Sequence, residues 1–235
     1  MELKKGSLFA EGNTKRLYST SDPDSLIIQF KDEIVSHAGK ILGSIENKGV
    51  GTAKITDIIY QYLESFHIPT HWVRSEKPGE VAVKLCDMIP LIITMRNEIA
   101  GNLQKRYGLS SDAELKHPIL ELSLKNEKLK NPMLNSDHAC AFGLISPEQM
   151  QVVETLARKT NAVLKSFFER RKLLLVETHL EFGLVNEQIV LADEIGFDTC
   201  RFWDIADDTI DKKIFDSDFE KHFEAAYENY AKRFI

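Results

Sequence analysis

Cysteine is scarce in this chain, with three in 235 residues, at Cys86, Cys140 and Cys200. An odd count with wide spacing excludes a disulfide framework and offers no metal-ligand motif, so a reducing compartment is expected. Long apolar runs are also missing. No stretch approaches the roughly 20 apolar residues that a membrane span needs, and Met1–Gly12 carries no signal-like apolar core. A cytoplasmic protein without a membrane partner is expected. Basic excess is absent too: 30 Lys and Arg stand against 36 Asp and Glu, so no nucleic-acid partner is expected. The short runs Lys105-Arg106 and Arg170-Arg171-Lys172 read as solvated faces within mixed-charge segments.

The first third of the chain is rich in strand and turn signals. Leu8–Glu11 and Thr14–Ser19 flank Gly12-Asn13, a hairpin-turn pair. Asp22-Pro23-Asp24-Ser25 is a second turn, followed by a strand at Leu26–Phe30. Apolar residues at Ile55, Ile58, Ile59, Tyr62, Leu63 and Phe66 predict an amphipathic helix over 52–66, with Pro69 just beyond it. Trp72–Ser75 and Glu80–Leu85 bracket Lys77-Pro78-Gly79 as a third hairpin, and Leu91–Met95 is a further strand.

The second half mixes helices and strands. Ser146-Pro147-Glu148-Gln149 combines a cap, a first-turn proline and a capping-box glutamine. It opens a helix to about Arg170 with Met150, Val153, Leu156, Ala157, Thr160, Leu164 and Phe167 on the buried stripe. Strands are expected at Leu173–Val176, Leu180–Val185 and Ile189–Ala192, and Ser217-x-x-Glu220 starts a last helix through Phe223, Tyr227 and Tyr230. These patterns predict an α+β protein of two lobes, a small β-rich lobe over 1–88 and a larger α+β lobe over 89–235. A ligand is expected in the cleft between them.

Chemistry concentrates in Glu177-Thr-His-Leu-Glu-Phe-Gly183 and Ile189-Val-Leu-Ala-Asp-Glu194. A turn at Asn186-Glu187 sets Glu181 and Asp193 nearly opposite each other. Two like charges that close need a cation between them, such as Mg²⁺ carrying nucleotide phosphates. The same pattern also fits a solvated acidic ribbon. Gly12-Asn13-Thr14-Lys15 fits a phosphate-covering turn or a plain hairpin. Arg96 fits an anion clamp at a lobe junction or an ordinary surface arginine. Arg201-Phe202-Trp203-Asp204 fits an arginine held on aromatic faces or core packing. His37, His117 and His138 have no ligand-spaced partner, and the cysteines read as small buried hydrophobes.

Taken in order, Gly12-x-x-Lys15-x-x-Tyr18, Asp22-Pro23, Phe30-Lys31-Asp32, Lys48-Gly49, Ile68-Pro69-Thr70, Arg96-Asn97, Ala100-Gly101, Leu124-Lys125-Asn126, Pro132-Met133, Leu180-Glu181-Phe182-Gly183, Asp193-Glu194 and Arg201-x-Trp203-Asp204 resemble the SAICAR synthetase family from end to end. The resemblance implies a two-lobed fold with ATP in the cleft. ATP would phosphorylate a substrate carboxylate, and an amine would attack the acyl phosphate. It implies that Lys15 and Lys125 contact ATP, that Lys84, Cys86 and Met88 line the adenine side, and that Glu181 and Asp193 hold Mg²⁺. Arg96, Asn102, His179 and Arg201 would bind substrate, and Lys15, Lys125, Asn131 and His179 would serve catalysis. Partners are thus a small carboxylate and a small amine, one of them a phosphorylated ribonucleotide, with a homodimer as a candidate assembly.

The chain departs from the family pattern at Ala38, where an acid or amide is usual, and at Ile92, where Glu is usual. Other departures are Asn13 for Lys, Asn102 for Ser, Lys130-Asn131 for His-Asp, Glu177 for Asp and His179 for Lys. ATP and metal positions survive while substrate-facing ones change. Losing a charged partner in a desolvated site costs roughly 2–5 kcal/mol, so an altered acid–amine pair is the leading expectation. SAICAR synthesis itself is the alternative, and a nucleotide-binding paralogue without catalysis is the third.

Overall fold

The computed structural model describes residues 3–35, 41–110, 113–205 and 219–234. His37 and Ala38, and the cap expected at Ser217, lie outside the described residues. The fold is α+β, as expected. The first strands are β1 (Lys5–Glu11), β2 (Lys15–Thr20), β3 (Ser25–Phe30), β4 (Glu33–Val35) and β5 (Ile41–Ser44). Helix α1 (Lys48–Ser65) follows, then β6 (Trp72–Ser75), β7 (Glu80–Lys84), β8 (Asp87–Met88) and β9 (Leu91–Arg96). After them come α2 (Gly101–Tyr107), β10 (Ile119–Leu124), β11 (Met133–Leu134), α3 (Ser136–Ala141) and α4 (Pro147–Glu169). The chain closes with β12 (Leu173–Val185), β13 (Gln188–Ala192), β14 (Cys200–Asp204) and α5 (Phe219–Ala231).

A five-stranded sheet runs in the order β1-β2-β3-β7-β6. Its central strands bury Leu26, Ile28, Phe30, Val81 and Val83 against Ala53 of α1. The β1–β2 hairpin forms where Gly12-Asn13 predicts it, and β1 is an exposed edge strand throughout. Helix α1 starts four residues earlier than its apolar pattern suggests. Asp32 reaches across and accepts from the Gly49 backbone N–H at 2.8 Å, supplying the cap that the local sequence lacks.

The second sheet has the path β11-β10-β9-β12-β13, with β14 and β8 also paired to β12. The two strands expected at 173–176 and 180–185 are one 13-residue strand. Thr178 and His179 carry the ladder through, because β9 pairs with 177–180 and bridges the interval. Two residues with left-handed φ, Asn186 (49°) and Glu187 (66°), turn the chain into β13, matching the expected hairpin. The back of this sheet presents Leu91, Ile93, Met95, Leu122 and Leu180 to α4, whose Val153, Ala157, Leu164 and Phe167 complete the core. Helix α1 also sends Ile55, Ile59, Tyr60 and Leu63 into this core, so one helix joins both sheets. Among the described residues, no helix is long and apolar enough to cross a membrane.

The front of the second sheet is polar. Register places Glu177 beside Arg96 and Arg201, His179 beside Thr94, and Glu121 on the far side of Thr94. Period-2 alternation therefore collects Arg96, Thr94, Ile92, Glu121, Ser123, Glu177, His179, Glu181 and Arg201 on one face. Arg201 and Phe202 point to opposite sides of β14. Phe202 enters the core, with its ring 4.6 Å from Phe168 and stacked 5.3 Å from Tyr230.

The capping box at α4 is present in both directions: Ser146 accepts from Gln149 N at 3.2 Å, and Gln149 accepts from Ser146 N at 3.1 Å. Ser146→Ala is expected to lower unfolding free energy by about 1 kcal/mol with an unchanged denaturant slope, measured by urea titration.

Candidate active site

Three carboxylates meet where the two sheets adjoin: Glu181 of β12, and Asp193 and Glu194 just after β13. All three are largely buried. Lys15, at the start of β2, bridges Asp193 and Glu194, and Lys125, just past β10, pairs with Glu181. The repulsion expected between Glu181 and Asp193 persists as a raised Glu181 pKa, although two lysines from different elements already offset part of the charge.

The electrostatics divide the acids. Burial raises the Glu181 carboxyl and the neighbouring Asp193 charge raises it further, against the pull of Lys125. Burial works against Asp193 as well, but Lys15 and Lys125 outweigh it and hold that group below its usual range. Glu194 is pushed up to about 7, mainly by burial, with Lys15 opposing and Asp193 and Asp198 adding to the rise. Burial disfavours the Lys15 ammonium, yet Asp193 and Glu194 raise its pKa.

The pairing of Glu181 is with Ala192, not Asp193. On a straight strand Asp193 would then face away from Glu181. Asp193 instead adopts φ of 66°, a left-handed conformation that costs a non-glycine residue on the order of 1 kcal/mol. That turn brings its carboxylate back into the field of Glu181. The two carboxylates are close, as expected, but the cause is the turn at Asp193 rather than direct strand opposition.

A second charged row crosses the front face. Arg96 donates to Glu121 at 2.5 Å and to Glu177, and Arg106 also pairs with Glu121. Arg106 is exposed, as expected, while making this pair. Arg171 is not the simple solvated charge expected of it, since it lies 3.8 Å over the Phe167 ring. Burial opposes ionisation of Glu177, but adjacent His179, at 3.7 Å, and the charges of Arg201 and Arg96 hold its pKa near 2. Arg201 packs against Gly101, where any Cβ would collide with the guanidinium. Asn102 follows directly in α2. Guanidiniums and carboxylates thus interleave across this face.

The remaining expected site residues divide. Cys86 and Met88 do lie where β8 crosses from one sheet to the other. A Cβ on Gly183 would stand 2.7 Å from Cys86 Cβ and 3.2 Å from Met88 Sδ, so glycine permits this close approach. Lys84 directs its Nζ to the Thr70 carbonyl at 3.1 Å. Asn131 closes its own turn, its Oδ1 accepting from Asn126 N at 2.8 Å, which occupies the side chain in loop structure. The cysteines are all free and only partly buried. His138 forms half of the capping box of α3.

Sequence reading missed Glu194, Glu121, Tyr60, His71 and the buried pair Lys48–Asp198, bonded at 2.6 Å. A signal for Lys48 existed, since a lysine at the start of an apolar helix requires a partner when buried. No local signal could have linked Tyr60 or His71 to a residue more than 120 positions away. Among the described residues no group of three or more acids, histidines and cysteines could hold a metal unaided. Two converging carboxylates still suit a hard cation that brings phosphate and water ligands with it.

The sequence model of a family described as SAICAR synthetase matches residues 8–234. Phosphoribosylaminoimidazole-succinocarboxamide synthase of Thermoanaerobacter sp. is 37% identical over 232 residues, 98% of each chain. The protein of the same name from Coprothermobacter proteolyticus is 39% identical over 233 residues, again 98% of each. Among solved structures, phosphoribosylaminoimidazole-succinocarboxamide synthase of Ehrlichia chaffeensis superposes with a TM-score of 0.88 at 30% identity, over 96% of each chain. A SAICAR synthetase in complex with ADP gives 0.87 at 35% identity, over 99% of this chain and 97% of that one.

Lys15→Met removes the counter-charge of Asp193 and Glu194 together. In the nucleotide-free protein it is expected to cost about 3 kcal/mol at pH 8. Glu194 is already raised by burial with Lys15 opposing, so without Lys15 its folded-state pKa lies further above the unfolded one. Stability of the variant should therefore fall as pH rises, and the deficit relative to the parent should shrink at pH 5. Urea unfolding at the two pH values checks this.

Proposed function

The chain belongs to the SAICAR synthetase family, and on that premise we propose that it is a SAICAR synthetase, joining aspartate to the carboxylate of carboxyaminoimidazole ribonucleotide with cleavage of ATP to ADP and phosphate. The observation that carries the reading is the full-length similarity to proteins of that name, at 36–39% identity over 96% or more of the chain in several cases. It favours SAICAR synthesis over a changed acid–amine pair.

The residues have roles consistent with this chemistry. Lys15 and Lys125 exchange their carboxylate partners for ATP phosphates, so charge is already in place before the nucleotide arrives. Cys86 and Met88 line the crossing between sheets, beside the base of the nucleotide. Glu181 and Asp193 would hold Mg²⁺. When bound, that ion would offset the charge of the phosphates around the transferring group. Arg96 and Arg201, on either side of Glu177, bind the ribonucleotide phosphate, and the flanking carboxylates hold the guanidiniums in fixed orientations. His179, between this row and Glu181, faces the substrate carboxylate. Once the acyl phosphate forms, the aspartate amine attacks its carbonyl carbon, the C–N bond forms, and phosphate leaves with the former C–O bond.

A second reading rests on the front face itself. Ile92 lies there, next to Ser123, where the family pattern has a carboxylate, and His179 stands where it has lysine. These changes favour a different amine or acid joined by the same acyl-phosphate route.

ADP release with the carboxyaminoimidazole ribonucleotide separates the two. SAICAR synthesis predicts saturable turnover that requires aspartate, and mass spectrometry of the succinocarboxamide product. Turnover with another amine but not aspartate supports the second reading. Nucleotide binding without turnover on any pair contradicts both. Lys125→Met is expected to lower kcat by about a hundredfold while the far-ultraviolet circular dichroism stays unchanged.

A further inference from the structure

The turn that brings Asp193 back toward Glu181 is fastened from elements distant in sequence. Tyr60, on α1, donates its hydroxyl to the Asp193 carbonyl at 2.5 Å, with the Ala192 carbonyl 3.1 Å away. His71, between α1 and β6, approaches the same Asp193 carbonyl through Nε2 at 3.0 Å. Both side chains are buried, and their rings meet edge to face at 5.6 Å. A carbonyl only accepts, so His71 must carry its proton on Nε2, and burial favours the neutral ring that leaves it there.

The backbone on either side is fixed as well. His71 N donates to the Leu191 carbonyl at 2.9 Å, Leu191 N donates to Pro69 at 2.8 Å, and Lys84 N donates to His71 at 2.7 Å. The segment 69–71 thus adds a short parallel bridge to β13. Everything preceding Asp193 is held as strand. The two side-chain donors select the one peptide orientation in which its carboxylate turns to Glu181. A strand without them has no reason to leave extended geometry at a non-glycine residue.

We propose that Tyr60 and His71 are positioning residues that set the Asp193 carboxylate in its metal-binding orientation. The proposal rests on reading Glu181 and Asp193 as metal ligands. Neither residue touches nucleotide or substrate in this role. Their effect is confined to interactions that pass through Asp193.

The test is calorimetric titration with ADP, with and without Mg²⁺, of the parent, Tyr60→Phe, His71→Leu and His71→Gln. No acid or amine substrate takes part, so a failure of the SAICAR reading leaves the result interpretable. The parent should bind ADP more tightly with Mg²⁺. Tyr60→Phe and His71→Leu should keep metal-free ADP affinity within about twofold and lose at least about fivefold of the Mg²⁺ enhancement. His71→Gln, which restores an N–H donor at similar reach, should recover most of it. Equal losses with and without metal would reduce both residues to a structural role and overturn the proposal, as would an undiminished enhancement. A parent without any enhancement overturns the metal reading and the proposal with it. Should His71→Leu not fold, Tyr60→Phe and His71→Gln decide the matter by the same criteria.

Discussion

Three carboxylates buried within one junction set the terms for the rest of this molecule. Glu181, Asp193 and Glu194 cannot all stay ionised there without cations, because burial and mutual repulsion both favour the protonated forms. The cations come from elements far away in sequence. Lys15 arrives on the N-terminal hairpin and Lys125 at the end of β10. The two sheets must therefore meet at this edge, and α1 makes them meet by packing into both cores. An arrangement of acids held by lysines is also one prepared for a polyphosphate and its metal. Under the proposed function, the incoming ligand would replace each internal ion pair with an equivalent one.

The same logic operates on the front of the larger sheet. Glu177 sits between Arg96 and Arg201 in direct cross-strand register, and Glu121 shares Arg96 with Arg106. These carboxylates do not cancel the site. They orient guanidiniums that would otherwise sample many rotamers. Substituting Glu for the usual Asp at 177 keeps the charge, and the Arg96 pair shows that the longer side chain still reaches its partner. Ile92 and His179 receive no such compensation from their strand neighbours, Ser123 and Thr94. They are the positions on this face where selectivity has room to differ.

Much of this was legible in the residues. Turn chemistry at Gly12-Asn13 and Asn186-Glu187, the capping box at Ser146 and the apolar stripe of α4 each have local causes, and each formed. What was illegible depends on distant partners. The start of α1 needs Asp32, the single long β12 needs β9 to bridge its middle, and short β8 exists only because β12 accepts it. In the site, residue type and spacing singled out Glu181 and Asp193 and a turn singled out Lys15, whereas Lys125 came only from the family resemblance. Period-2 alternation placed Asp193 wrongly, since nothing in the neighbouring residues announces its left-handed φ. Glu194 went unnoticed because its meaning comes from burial, which its neighbours in sequence do not announce. Asn131 adds a structural role that its family position does not announce, since its Oδ1 holds its own turn.

The central claim is that the lysines stand in for ligand charge and give way to it. A crystal structure of the protein grown with ADP and Mn²⁺, with anomalous diffraction locating the metal, tests it most directly. The account predicts a manganese peak bound by both Glu181 and Asp193, with Lys15 moved from Asp193 onto a phosphate oxygen. A metal bound elsewhere, or Lys15 still bridging Asp193 and Glu194 beneath bound nucleotide, would contradict it.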